Sequence, residues 1–243
     1  MTRTMALIAL TGLFAVVGRS PAFAQTGSQP TAADRPLFVD INAGFASAPE
    51  ALTTTSTFAI FGENGSVATR IEPGTSAMFD VRLGYRFRPH FGVAAAVSAG
   101  HSDVAAATTA SVPSPIRFAS PTIVSLDAGG SSRREIGLHL QAVFAWPITG
   151  NLTFAIAGGP SILHLQQGVP NVNVTSGTPI VGSVNESGSG FGGNVGADLS
   201  ALLSAHYGVG VFVRYAAASI DLPSASGVKA GGVQAGGGLR VRF

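Results

Sequence analysis

From Leu37 onward the chain alternates apolar residues with polar or small ones, run after run. Such period-two patterning marks strands with one apolar face, and each run approaches the roughly 9–11 residues of a tilted membrane-crossing strand. The first run sets Leu37, Val39, Ile41, Ala43 and Phe45 against Phe38, Asp40, Asn42, Gly44 and Ala46. The second sets Phe79, Val81, Leu83, Tyr85 and Phe87 against Asp80, Arg82, Gly84 and Arg86. Six more follow: Phe91–Gly100, Glu135–Trp146, Leu152 to about Gln166, Asn194–Leu203, Tyr207–Tyr215 and Val233–Phe243. The pattern predicts eight strands. Within the fifth, Gly158–Gly159–Pro160 predicts a bend or bulge.

The connections are sorted by length. Arg88–His90, Pro147–Asn151 and Ser204–His206 are tight links, whereas the alternate connections are long and rich in Gly, Ser, Thr, Ala and Pro. Short turns at one end and long loops at the other are expected of a membrane barrel and not of a sandwich. Aromatic residues divide in the same way. Tyr85, Phe87, Phe91, Trp146, Tyr207 and Phe243 lie on the apolar phase beside the short turns, and Phe45, Phe79 and Tyr215 lie on it near the long loops. Two such bands are expected where a wall meets the two faces of a bilayer. Thr57–Phe61 and Val67–Ile71, separated by Gly62–Ser66, predict a short hairpin above the membrane that extends the first and second strands.

Ahead of this pattern, Arg3, the apolar run Met5–Val17 and Ala22–Phe23–Ala24 predict a secretory signal over residues 1–24. Residues 25–35 read as a polar, flexible periplasmic tail, and 36–243 as the barrel. Arg3 and Arg19 leave with the signal, so 12 basic residues face 12 acidic ones in the exported chain. Only 11% of the residues are charged, against about 25% in soluble domains, and there are no cysteines. That composition excludes a nucleic-acid-binding surface, a disulfide scaffold and thiol chemistry. The reading is all-β: a closed antiparallel eight-stranded transmembrane β-barrel.

The ending Gly238–Leu239–Arg240–Val241–Arg242–Phe243 resembles the C-terminal signal of Gram-negative outer-membrane proteins, with Leu239, Val241 and Phe243 as its apolar positions. Ala155–Ser161 resembles part of the outer membrane protein beta-barrel domain family, and the overall plan is similar to small OmpA- and OmpX-type barrels. The resemblance implies an outer-membrane location, contact with membrane lipid and recognition by the barrel-assembly machinery. One departure from that plan is expected: the sequence stops at the barrel pattern, without the periplasmic peptidoglycan-binding domain of full OmpA-type proteins. The expected state is a monomer, and the partner of its extracellular loops is unknown.

The polar phase of all eight strands gives the expected lumen. It holds Asp40, Asp80, Glu135 and Asp198, the basic Arg82, Arg86, Arg214, Arg240 and Arg242, and the neutral Asn42, His139, Gln141 and Gln234. Eight strands enclose a space that side chains just fill, so charges of mixed sign in it should pair into a polar plug. The alternative is a narrow pore for water, ions or small solutes, favoured by inner-face glycines on the third, seventh and eighth strands. A lipid-modifying enzyme ranks third. None of His90, His101, His139, His164 or His206 has Ser two residues on, the pair expected of a barrel deacylase. His101–Ser102–Asp103 holds suitable residue types, but neighbours on a strand face opposite sides. No catalytic residues, cofactor or metal are therefore expected.

Overall fold

The computed structural model describes residues 35–47, 51–127, 131–175 and 178–243, so the predicted signal and most of the predicted tail lie outside the described residues. Among the described residues eleven strands form, and eight of them make the wall: β1 (Leu37–Ala46), β4 (Ser76–Arg86), β5 (Phe91–Val112), β7 (Ser131–Pro147), β8 (Leu152–Thr175), β9 (Thr178–Leu202), β10 (Tyr207–Leu222) and β11 (Ala225–Arg242). Between them lie β2 (Leu52–Ile60), β3 (Glu63–Pro73) and β6 (Thr122–Asp127). Each wall strand pairs antiparallel with the next, and β1 pairs with β11 from Phe38↔Arg242 to Ala46↔Gln234. The ring is closed.

Register fixes how the lumen is built. Ala218 pairs with Gly192, then the row runs through Ser161, His139, Ala96, Arg82, Asp40 and Arg240 to Gly208. One circuit therefore returns to β10 ten residues from its start, from position 218 to 208. Such a stagger tilts the strands and leaves an interior of side-chain width. Directly opposed residues on one face have Cβ atoms about 5 Å apart, so Arg82, Asp40 and Arg240 are neighbours by register alone.

The short links fall where the alternation places them, at residues 87–90, 148–151 and 203–206. At the far end the predicted loops are instead strand. β5 continues to Val112, β8 and β9 pair from Leu152↔Ala201 to Thr175↔Thr178, and β10 and β11 pair up to Leu222↔Ala225. The predicted hairpin is also corrected. Its arms are 9 and 11 residues, not five, and its turn is Phe61–Gly62, with φ of 55° and 76°. Two successive positive φ values make a type I′ turn, whose twist suits a two-residue hairpin. β3 pairs with β5 from Ser66↔Ser111 to Pro73↔Val104, continuing the course of β4, while β2 pairs with β3. Glu63 Oε1 accepts from the Ala119 N–H at 2.7 Å, tying the hairpin tip to the β5–β6 connection.

Gly158–Gly159–Pro160 makes no bulge. The β7–β8 register is the same on both sides, but pairing is interrupted between His139↔Ser161 and Ala142↔Gly158. Pro160 has no N–H to give, and the Asn194 amide donates to the carbonyls of Gly159 and Pro160 at 3.0 and 3.3 Å.

The wall has two storeys of opposite polarity. Near the short turns, outward residues are apolar and exposed, as at Val97, Val211 and Leu239 (50%, 49% and 58%). Inward residues there include Asp40, Asp80, His139 and Arg240, all buried. Towards the far end the phases exchange. Leu163, Leu165, Ile220, Leu222 and Val228 point inward and form an apolar core, with Ile71, Val104 and Ala106 in another and Val67, Ala110 and Val112 in a third. His164, Gln166, Ser219, Asp221 and Lys229 lie on the exposed face.

Candidate functional site in the barrel lumen

Three neighbouring strands, β4, β1 and β11, carry most of the charge. Asp40 is fully buried at the centre. Its Oδ2 accepts from Arg82 Nε and Nη2 at 2.8 and 2.6 Å, and its Oδ1 accepts from Arg242 Nη1 at 2.7 Å, with Arg240 Nε 3.7 Å away. Arg240 reaches over the intervening β10, donating from Nη2 to Asp198 Oδ2 on β9 at 2.6 Å, and it donates from Nη1 to Asn42 Oδ1 on the adjacent β1 at 2.6 Å. Asn42 Nδ2 donates to Asp80 Oδ1 at 3.0 Å. Arg214 on β10 completes the chain of contacts, from Nη2 to Asp80 Oδ2 at 2.9 Å and from Nε to Gln234 Oε1 at 2.7 Å. Arginine suits these places because its planar fork donates along several directions and stays charged when buried.

A neutral group occupies the opposite wall. His139 has both ring nitrogens engaged, Nδ1 with Ser161 Oγ at 2.8 Å and Nε2 with Ser98 Oγ at 3.0 Å. Gln141 Nε2 donates to Asn194 Oδ1 at 2.7 Å, and Asn194 Nδ2 to Ser161 Oγ at 2.8 Å. Higher up, Glu135 is apart from the Asp40 cluster and pairs with Arg133 at 3.1 Å, which also donates to Gln167 Oε1 at 3.0 Å and to the Lys229 carbonyl at 3.2 Å.

At the turn end Phe38 closes the floor. It is 2% exposed, and its ring centroid lies 5.7, 5.6 and 5.1 Å from the guanidinium carbons of Arg82, Arg86 and Arg242. These are cation–π distances. The inner-face glycines hold space that other side chains use. A Cβ on Gly84 would run into the Phe38 ring, and one on Gly210 would lie 2.7 Å from Arg240 Nε. Two internal cavities line the described interior, of about 30 Å³ beside Ser98, Glu135 and Gln234 and about 20 Å³ beside Asp80, Gln141 and Arg214.

Outside, the band residues Tyr85, Phe87, Phe91, Trp146, Tyr207 and Phe243 are all exposed, between 40% and 65%. Trp146 stacks edge-on with Phe144 at 3.9 Å, and Phe144 with Phe91 at 4.4 Å. Leu239 and Val241 face the same way as Phe243 along β11. A wall that is charged within and apolar without turns a soluble protein's pattern inside out. The fold is a closed eight-stranded antiparallel β-barrel with the inside-out polarity of a membrane-spanning one.

Solved outer-membrane proteins are similar to it. OprG from Pseudomonas aeruginosa is 14% identical over 86% of this chain and 96% of that one, with a TM-score of 0.46. Neisserial surface protein A is 11% identical over 85% and 97%, with a TM-score of 0.46. Ail of Yersinia pestis, solved with the heparin analogue sucrose octasulfate, is 13% identical over 84% and 99%, with a TM-score of 0.39. Likeness at this level transfers no residue roles. No protein-family model matches the sequence, and no curated protein matches it at significance.

His101, Ser102 and Asp103 do not converge, since Ser102 is buried inward while His101 and Asp103 are exposed on the outer face. Among the described residues no group of three His, Asp or Glu side chains is placed to hold a metal ion. Phe38, Ser98, Arg133, Ser161 and Asn194 were not among the residues picked from sequence for the lumen. All except Phe38 are polar and lie at inward positions, so following the inner phase through each whole strand recovers them.

Proposed function

We propose that the protein is an integral outer-membrane barrel, exported by a cleaved signal over residues 1–24, with a structural or surface-contact role and a lumen plugged by its own side chains. The observation that carries the plug is the unbroken series of contacts from Arg242 through Asp40, Arg82, Arg240 and Asp198, extended by Asn42, Asp80 and Arg214. Buried charges that satisfy one another are costly to separate, by about 3–5 kcal/mol per broken pair, and no permeating ion replaces so many contacts at once. An exposed apolar belt bounded by aromatic bands supports membrane residence. Its turn end faces the periplasm in this reading, and its far storey stands in the external medium, where polar outer faces and an apolar core suit water. Leu239, Val241 and Phe243 then serve as the signal read by the assembly machinery. The protein performs no catalysis in this account.

The refolded chain in a planar lipid bilayer is expected to insert without discrete conductance steps. Reproducible steps that change when Arg82 or Arg240 is replaced by Glu would overturn the plug. They would favour a narrow pore, for which the two internal cavities give some support, since each has room for about one or two waters.

A further inference from the structure

The apolar belt is not uniformly smooth. Where β7–β8 pairing is interrupted, the outward positions Ala95, Ala142 and Gly158 are small, and they floor a groove of about 660 Å³ on the outer wall. Leu83, Tyr85 and Leu140 wall it. The groove follows the paired row Leu37↔Tyr85↔Val93↔Ala142↔Gly158, so it runs obliquely up from the turn end. Its lining is almost wholly hydrocarbon, which suits an alkyl chain.

The turns at the end of the wall from which the groove rises have the opposite chemistry. Arg88 follows Tyr85 by three residues and is exposed in the β4–β5 turn, beside exposed His90. Arg35, two residues before Leu37, donates to the Ala205 carbonyl at the same rim. The turns at residues 87–90, 148–151 and 203–206 include Arg88, His90 and His206 and contain no acidic residue. A cationic rim beneath an apolar groove is complementary to a lipid with a phosphate head and a hydrocarbon tail.

We propose that this groove seats one acyl chain of an anionic glycerophospholipid, whose phosphate is held by Arg88 in the β4–β5 turn. The proposal rests on the membrane reading above. The chain gains by filling a concavity that a mobile bilayer packs less well, and the phosphate gains a charge-assisted contact. Leucine at Ala95 and Ala142 keeps the belt apolar but fills the floor, whereas Arg88→Gln leaves the groove open and removes the charge.

The test uses the full exported chain in micelles doped with phosphatidylglycerol and phosphatidylethanolamine, read by native mass spectrometry. The expected result is one retained phosphatidylglycerol per barrel, held about tenfold more weakly in the A95L/A142L variant, as loss of roughly two methylene contacts implies. Val211→Leu, on β10 in the opposite wall, should retain the lipid as the parent does, and Arg88→Gln should lose the preference over phosphatidylethanolamine. Equal retention by parent and A95L/A142L, or an undiminished preference in Arg88→Gln, overturns the site. A parent barrel that reconstitutes in vesicles but carries no lipid overturns the site alone. One that fails to enter vesicles overturns the membrane reading on which it stands.

Discussion

Replacing Asp40 with Asn is expected to lower the stability of the folded barrel by about 3–5 kcal/mol, the cost of breaking a buried ion pair from one side. The substitution preserves shape and removes one charge. Asp40 is shared by Arg82 and Arg242 at 2.6–2.8 Å, with Arg240 at 3.7 Å, so three buried guanidinium groups lose a common counter-charge. Asp198 stays close to Arg240 and Arg82, at 2.6 and 3.5 Å, but it is already engaged and cannot serve Arg242 as well. The exposed pair Arg70–Glu72 provides the comparison. Both its side chains are more than 60% exposed, and Glu72→Gln should change stability by less than about 1 kcal/mol. Urea titration of the two variants in lipid vesicles measures the difference. Equal midpoints and slopes for Asp40→Asn and the parent would mean that the cluster does not hold the lumen together.

The second large effect concerns the outer face. Val211→Arg puts a charge near the middle of the apolar belt, four residues from Tyr207 and four from Tyr215. Charge on a lipid-facing position at bilayer mid-depth costs about 2–4 kcal/mol and falls towards zero at the interfaces. Ser219→Arg lies on the same face of the same strand, beyond Tyr215, where outward residues are polar. It should cost almost nothing. A soluble barrel would tolerate both, because an exposed Val211 would then face water. Vesicle-based unfolding separates the two cases, and an unaltered Val211→Arg protein would contradict the belt.

The order of the wall and its short turns were legible because within the belt the apolar phase does not change. β10 keeps Tyr207, Val209, Val211, Val213 and Tyr215 on one face, and that regularity suffices to find the strand. The far storey was missed because the phase reverses. Past Tyr215 the apolar residues move to even positions, Ala216, Ala218, Ile220 and Leu222, so the strand continues while its outward apolar pattern stops. β8 does the same between Ile162 and Leu163, and β5 between Ala99 and Val104. Residues such as Ala105, Ala107 and Thr109 give weak outward signals and read as loop. Physically, the reversal marks where the solvent outside changes from hydrocarbon to water.

The lumen was legible in composition and less so in connection. Inward phase alone gathers Asp40, Asp80, Arg82, Arg240 and Arg242, but their partners depend on the stagger of the ring, which no single strand encodes. Asp198 meets Arg240 because β10, which separates β9 from β11, carries Gly210 there and leaves room for the Arg240 side chain to pass over it. Phe38 was hidden for another reason. It is a large apolar residue on the polar phase, and only its fit over Gly84 and among three arginines explains why it points inward.

The absence of cysteine makes one measurement especially clean. Single cysteines placed in turn along β10 from Val209 to Leu222, each spin-labelled in lipid vesicles, report whether a site meets lipid, water or packed protein. The account predicts lipid contact at positions 209, 211 and 213, water contact at 219 and 221, and neither at 220 and 222. Water contact at 209, 211 and 213 would contradict a membrane-spanning wall.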